Sequence, residues 1–350
     1  MRVFRSLKGW DRIEVLSIIA ILILFALAPI FIRSPFYLNM VVVTIIYAYM
    51  STTWNILGGF AGQLFIGGGV IFFGIGAYTS TILLVRYGVN PWVGMMASAL
   101  VCTLFALFLA KLTLRYSLRG DYLALFSVAL SQALALIFIN SPFLGGSFGF
   151  MLPMPENTLA SMSWTRREPF VYLALGMLAL NLLIVYYLKS IKMGKYWVAI
   201  RENDISSEAL GIDTAHYKTT AMLLCGALGG MGGTLYAQYT TFIEPHLVFG
   251  LPLNFEFILP VLIGGKGTVL GPLLGAALLK PTSELVRSAL GQAQASLYLI
   301  VYGALLVFFI IYLPSGMVGY LRQWYDRRRF RRRVSASTAE QKGRGDGDAT

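Results

Sequence analysis

Few side chains in this 350-residue sequence are of a type that does chemistry. Cys102 and Cys225 fall in hydrophobic runs, with neither a metal-ligand spacing nor the partners of a disulfide framework. His216 and His246 are too far apart in sequence to suggest a local site. No His, Cys or paired-carboxylate constellation is present, so the chain is read as neither an enzyme nor a metal protein. The phosphate-binding pattern G-x-x-x-x-G-K-[ST] is also absent, and Gly264–Thr268 has the wrong order for one. What remains are polar groups inside apolar runs, where they are expensive and often functional. These are Asn55, Gln63, Gln132, Asn181, Gln238, Asn254, Glu256 and Lys266. Gln132 and Asn181 read as interhelical hydrogen bonders. Asn55 and Gln63 bracket a glycine-rich break. Together with Gly62, Gly264, Gly265, Lys266 and Gly267 they are the candidates for lining a pathway. Glu256 is placed at the outer interface rather than in a pair with Lys266.

A second polar feature lies outside the apolar runs. Lys195 to Met222 is a long, helix-compatible polar segment between two membrane-length apolar stretches. Connections are usually a few residues long, so this one is expected to touch a partner. Asp204 is the expected N-cap, Ile205 to Leu210 the expected helix, and Gly211 the expected left-handed residue that ends it. Ile205, Ala209 and Ile212 fall at roughly helical spacing.

The elements that must position these groups follow from hydropathy. The chain is 57% hydrophobic and 13% charged, with mean hydropathy +0.69. Soluble domains sit near 45–50% and about 25%, so this is an integral membrane protein of all-α class. Apolar runs of membrane length fall near 14–32, 36–57, 69–86, 91–113, 122–140, 170–188, 217–240 and 294–313. A ninth stretch, 253–285, is broken by Pro260, Gly264–Gly267, Gly271-Pro272 and Pro281. It reads as a re-entrant pair of half-helices or as two short spans, buried inside the bundle. The expected fold is thus a polytopic helical bundle of about 8 spans plus a broken re-entrant segment. Val15–Ile32 has a cleavage-like Ala26-Leu27-Ala28, but Pro29 follows, and the run reads as a retained first helix.

Positive charge orients the bundle. Lys and Arg crowd the arm 1–13, the turn near 111–119, the loop 189–217 and the tail 321–350, while Arg33, Arg86, Arg166 and Arg167 thinly populate the alternate loops. Positive residues mark the cytoplasmic side, so both termini are expected there. The bundle is assigned to 14–320. The loop 141–169 is the longest outward segment, and 334–350 read as disordered. The net charge of +12 points to anionic lipid rather than nucleic acid. Small-residue spacings such as Gly58/Gly62, Gly226/Gly230 and Gly271/Gly275 read mainly as helix packing.

Several blocks carry a family resemblance. Asn55-Ile-Leu-Gly-Gly-Phe-Ala-Gly-Gln63 and Phe73-Gly-Ile-Gly-Ala-Tyr-Thr79 resemble the signature of permease subunits of branched-chain amino-acid ABC importers. Arg119-Gly-Asp-Tyr122 is similar to a block that opens one of that family's spans. Ala199-Ile-Arg-Glu-Asn-Asp-Ile-Ser-Ser-Glu-Ala-Leu-Gly-Ile212 resembles its cytoplasmic loop. Ile263-Gly-Gly-Lys-Gly-Thr268 and Gly271-Pro-Leu-Leu-Gly-Ala276 resemble a further glycine block. Order and spacing agree over about 55–280, and length and loop wording point to the LivM-type half of a permease pair. Ser206 and Ser207 replace usual alanines, Asp204 a frequent Glu, and Lys266 occupies a variable place.

The resemblance implies a type II ABC importer-like permease in a bacterial inner membrane. It implies a second homologous permease, two ATP-binding subunits that carry ATP and Mg, and a periplasmic solute-binding protein. It makes 201–211 the coupling helix, so that Arg201, Glu202, Asp204, Ile205, Glu208, Ala209, Leu210 and Gly211 face the ATPase. No cofactor is expected on this chain itself. Urea, short amides or other small organic solutes stay open as cargo. An ATP-independent secondary transporter or channel stays open as another class; it calls for inverted repeats and membrane-embedded coupling charges.

Overall fold

The computed structural model describes residues 2–32, 34–153, 157–158, 161–290 and 316–323, and positions 303, 307, 311 and 325. The chain runs as α1 (Arg2–Phe31), α2 (Pro35–Trp54), α3 (Gly68–Tyr87), α4 (Pro91–Arg115), α5 (Gly120–Asn140) and α6 (Glu168–Ser190). It continues as α7 (Lys192–Glu202), α8 (Asp204–Ala209), α9 (Thr214–Thr240), α10 (Pro245–Phe249), α11 (Leu251–Gly264) and α12 (Leu270–Leu290). A π-helical turn, Asn55–Phe60, extends α2. One two-stranded antiparallel ladder pairs β1 (Phe150–Met151) with β2 (Phe242–Ile243).

Local chemistry explains most helix starts. Pro35, Pro91, Pro245 and Pro252 occupy first-turn positions, where proline's missing N–H is no loss. The Asn90 side chain accepts the Trp92 amide at 2.9 Å, which satisfies one free donor at the start of α4.

Eight helical stretches among the described residues are long and apolar enough to cross a membrane. Seven coincide with expected runs. The eighth is Pro245–Gly264, formed by α10 and α11. The run expected at 294–313 lies almost wholly outside the described residues. The broken stretch 253–285 is now explicit: α11 completes that eighth crossing, and α12 is a full 21-residue helix rather than a half-helix. Pro260 and Pro281 lie inside helices and do not end them.

Burial sorts the helices. In the α2 span 89% of the apolar window is buried; in α1 it is 11%. So α2, with α3 and α9, forms the interior, and α1 and α5 are peripheral. Small residues permit the tight centre. Ser98 Oγ on α4 lies 2.9 Å from Thr234 Oγ1 and donates to the Gly230 carbonyl of α9 at 3.2 Å. A Cβ on Gly230 would press on Cys102 and the Ser98 carbonyl. The Gly226/Gly230 pair is therefore packing, as its spacing suggests. Asn181 donates to Tyr49 O at 3.1 Å and Thr53 Oγ1 at 2.8 Å, and Gln132 donates to Phe249 O at 3.1 Å. Both are interhelical, as expected.

The two ends of the bundle differ. At one, the start of the loop 141–169 folds into two short turns and the β ladder, and Arg86 lies 4.2 Å over the Phe143 ring while donating to its carbonyl at 2.6 Å. The other carries α7, α8 and the Gly264–Thr268 turn. Glu14 of α1 reaches that turn, and Gly316 packs against Gly265 there. The tail from 326 onward lies outside the described residues.

Candidate functional site

The polar segment after α6 is more ordered than its composition suggests. Met193, Trp197 and Ile200 recur at helical spacing and turn inward: Trp197 and Ile200 are buried, and Met193 packs against the core. Trp197 Nε1 donates to the Tyr217 carbonyl at 2.9 Å. This makes α7 a seated platform. The expectation of one polar loop with one short helix missed it, although the i, i+4, i+7 pattern was present.

On this platform stands α8. Its N-cap is Asn203, whose side chain accepts the Ser206 amide at 2.9 Å; this corrects the expectation of Asp204. Asp204 instead opens the helix as its first residue and pairs with Lys218, with Arg119 at 3.5 Å. The other end is as expected. Gly211, at φ +82, donates to Glu208 O at 2.9 Å, and Ile212 donates to Ser207 O at 3.1 Å. Those two bonds define a Schellman ending, which needs a left-handed residue. Thr214 Oγ1 donates to the Glu208 carboxylate, and Asp213 accepts the His216 amide at 2.9 Å to begin α9. Ser207 is buried, whereas Ile205 is 71% and Leu210 83% exposed. Glu202, Glu208, Ala209 and Gly211 are exposed as well. Ile212 is half-buried, so Ile205, Ala209 and Ile212 do not form one fully exposed face.

Arg201 links this outer element to the bundle. Its Nη1 donates to Gly59 O in the π-helical turn at 2.9 Å, and its Nη2 meets Glu202 at 3.0 Å. Gly62 and Gly267 leave room for it: a Cβ on either would collide with the Arg201 side chain. Asn55 ties the same turn to the far helix pair. Its Nδ2 donates to Thr268 O at 2.8 Å, and its Oδ1 accepts from the Gly267 amide at 2.9 Å. Gln63 Nε2 donates to Lys218 O at 2.9 Å at the start of α9. A cavity of about 600 Å³ opens beside α8, with Gly62, Gln63, Arg119, Arg201, Asp204 and Lys218 among its walls.

Two residue sets expected to act separately are therefore one structure. Asn55, Gly62, Gln63 and Gly267, the pathway candidates, gather at the same place as Arg201, and Gly62 and Gln63 also wall the cavity. They buttress the segment that carries Arg201. Gly264 and Gly265 lie buried beside Gly271 and Gly316, and Lys266 projects from the turn into solvent. Glu14 completes the buttress. Its carboxylate, 1% exposed, accepts from Val269 N at 3.1 Å and Leu270 N at 3.4 Å and pairs with Lys189 at 2.7 Å. It thereby caps α12 from another helix. Sequence reading missed it, because a glutamate at the head of an apolar run looks like a boundary marker.

Glu256 has a partner the sequence did not suggest. It pairs with Lys280 at 2.9 Å, not with Lys266, and Lys280 pairs in turn with Glu284 at 3.3 Å. Lys280 went unnoticed because its partner Glu256 lies 24 residues away, and both it and Glu284 fall in a stretch read as broken. No group of three or more His, Cys, Asp or Glu suited to a metal ion occurs among the described residues.

Comparison with known proteins assigns this architecture. The chain is 28% identical over 336 residues to the high-affinity branched-chain amino acid transport system permease protein LivM of Escherichia coli K12, covering 89% of this chain and 77% of that protein. It is 28% identical over 275 residues to the probable branched-chain amino acid transport permease protein LivM of Methanocaldococcus jannaschii, covering 71% and 78%. A nucleoside ABC transporter permease protein, NupC of Lactococcus lactis, is 27% identical over 221 residues, covering 58% and 67%. No solved structure matches. Residues 36–310 match the family model described as branched-chain amino acid transport system / permease component, and the chain belongs to that family.

Proposed function

We propose that this chain is the membrane subunit of an ATP-driven importer that carries branched-chain amino acids into the cytoplasm. On this reading α8 is the coupling helix. ATP and Mg are bound by two partner ATPase subunits, a second similar permease completes the membrane part, and a periplasmic solute-binding protein delivers cargo. The site is the inner membrane, with the α8 end and both termini cytoplasmic, in keeping with the crowding of Lys and Arg there. The observation that carries the proposal is the presentation of α8. Ile205 and Leu210 are apolar, protrude from a capped six-residue helix, and stand on a platform joined through Arg201, Gly59 and Asn55 to three membrane helices. Exposed apolar side chains on so rigid a mount suit a partner groove.

Ala209→Trp and Leu210→Asp test this, because both side chains are exposed and neither supports the fold. Each is expected to abolish ATP-dependent uptake of leucine, isoleucine and valine while leaving the permease in the membrane. Normal uptake by both variants would overturn the role of α8. Mild-detergent purification is expected to recover ATPase subunits and a second permease; recovery of this chain alone would favour a secondary transporter or channel. The Lactococcus relative's name keeps nucleosides as a second cargo reading, and ligand binding by the partner solute-binding protein separates the two.

A further inference from the structure

One charged cluster has no part in the α8 end. The Lys280 ammonium lies 2.9 Å from Glu256 and 3.3 Å from Glu284, and 4.0 Å above the Tyr47 ring. Tyr47 and Tyr236 both lie within electrostatic reach of the two carboxylates. At 1.5 Å rise per residue, Lys280 stands about 15 Å along α12 from Leu270, and Glu256 about 12 Å along α11 from Gly264. Both positions fall near the middle of bilayer-length helical stretches, Leu270–Leu290 and Pro245–Gly264.

Three observations distinguish this cluster from an internal strut. First, two carboxylates share one ammonium, which leaves a spare negative charge where an unbalanced charge is costly. Second, Pro260 and Pro281 lie inside α11 and α12 and cannot donate to the carbonyls four residues back. Those carbonyls belong to Glu256 and Ala277, beside the cluster. Third, the cluster opens on the chain's surface: the two Glu side chains are each 21% exposed and Lys280 is 10% exposed. Charges at this depth face protein or a water-filled space rather than lipid.

An uncharged cargo has no use for this arrangement, whereas the two ends of an amino-acid zwitterion match it. Resting on the importer reading above, we infer that Glu256, Lys280 and Glu284 form a station on the transport pathway that holds the backbone charges of a zwitterionic α-amino acid. The carboxylate pairs with Lys280. The ammonium pairs with the glutamates and the two freed carbonyls.

The test is uptake of a mixture of radiolabelled leucine, isoleucine and valine by the full reconstituted complex. Lys280→Met is expected to lower uptake at least ten-fold, and Lys280→Arg to restore at least a third of it. Lys280→Met combined with Glu256→Gln removes one of the two carboxylate charges left unpaired by the single change and so restores the cluster's original net charge, and is also expected to transport below a tenth of the wild-type rate. If Lys280→Met fails to accumulate, Lys280→Arg and the double variant decide. A double variant that transports at more than half the wild-type rate overturns the station and leaves the importer reading intact. No ATP-dependent uptake by the wild-type complex overturns the importer reading and the station with it.

Discussion

At the α8 end, Asn55 uses both ends of its amide on the Gly267–Thr268 turn, Glu14 accepts two backbone amides, and Arg201 closes on Gly59. Elsewhere in the bundle the pattern is looser, although at the α8 end Asp204 Oδ1 is also without a hydrogen-bond partner among the described residues. Asn254 has neither side-chain group paired, and Gln238 Nε2 is unpaired, among the described residues. The charged cluster around Lys280 carries one carboxylate in excess. Buried polar groups are normally paired, so the contrast fits the two proposed roles, coupling at the α8 end and solute passage elsewhere. A segment that transmits force must not yield, and saturated hydrogen bonds give it stiffness. A segment that passes a solute must keep polar groups available and exchange partners cheaply.

That contrast can be broken from the stiff side. Trp197→Ala removes a fully buried ring and its hydrogen bond and is expected to cost about 3–5 kcal/mol, read as a lower thermal midpoint of the purified protein in detergent. Asn55→Leu strands the Gly267 amide and the Thr268 carbonyl. At about 1–3 kcal/mol per orphaned group, a loss of roughly 2–6 kcal/mol is expected in the same assay, and a loss below about 0.5 kcal/mol would show that the turn does not depend on Asn55. Gly211→Ala meets no neighbour within 4 Å, so only the left-handed backbone resists it. The expected cost is about 1–2 kcal/mol, and limited proteolysis should show faster cleavage between α8 and α9. Lys266→Ala is the control: an exposed side chain on the turn, expected to change stability by less than about 0.5 kcal/mol. A large effect there would show that the Lys266 side chain makes a stabilising contact within the fold.

Much of the α8 end was legible residue by residue. Gly211 was readable because only glycine enters the left-handed region without strain. The N-cap was not, because Asn203 and Asp204 are adjacent and equally suited to capping. The choice fell to tertiary contacts: Lys218 and Arg119 claim the Asp204 carboxylate, which leaves Asn203 to cap. Met193, Trp197 and Ile200 carried a readable helical pattern, but charged residues around them disguised α7 as a loop. Lys280 was hidden for another reason. Pro281 beside it and Gly271-Pro272 before it made its helix look interrupted, whereas Gly275 lets α12 lie against the Pro260 carbonyl.

The sequence alone determined the membrane environment, the all-helical class, the family and the position of the protruding helix. Each rests on composition, on periodicity or on a motif contained in a short window. Only the tertiary structure decided that the Asn55–Gln63 block and the Arg201 segment form a single buttress. It alone decided that Glu256 pairs with Lys280. The hydrogen bond from Gly267 to Asn55 spans 212 residues, and the Arg201 bond to Gly59 spans 142. Pairings at such range follow from which helices pack together, and in a membrane that is set by side-chain fit and small-residue contacts, which no local pattern encodes.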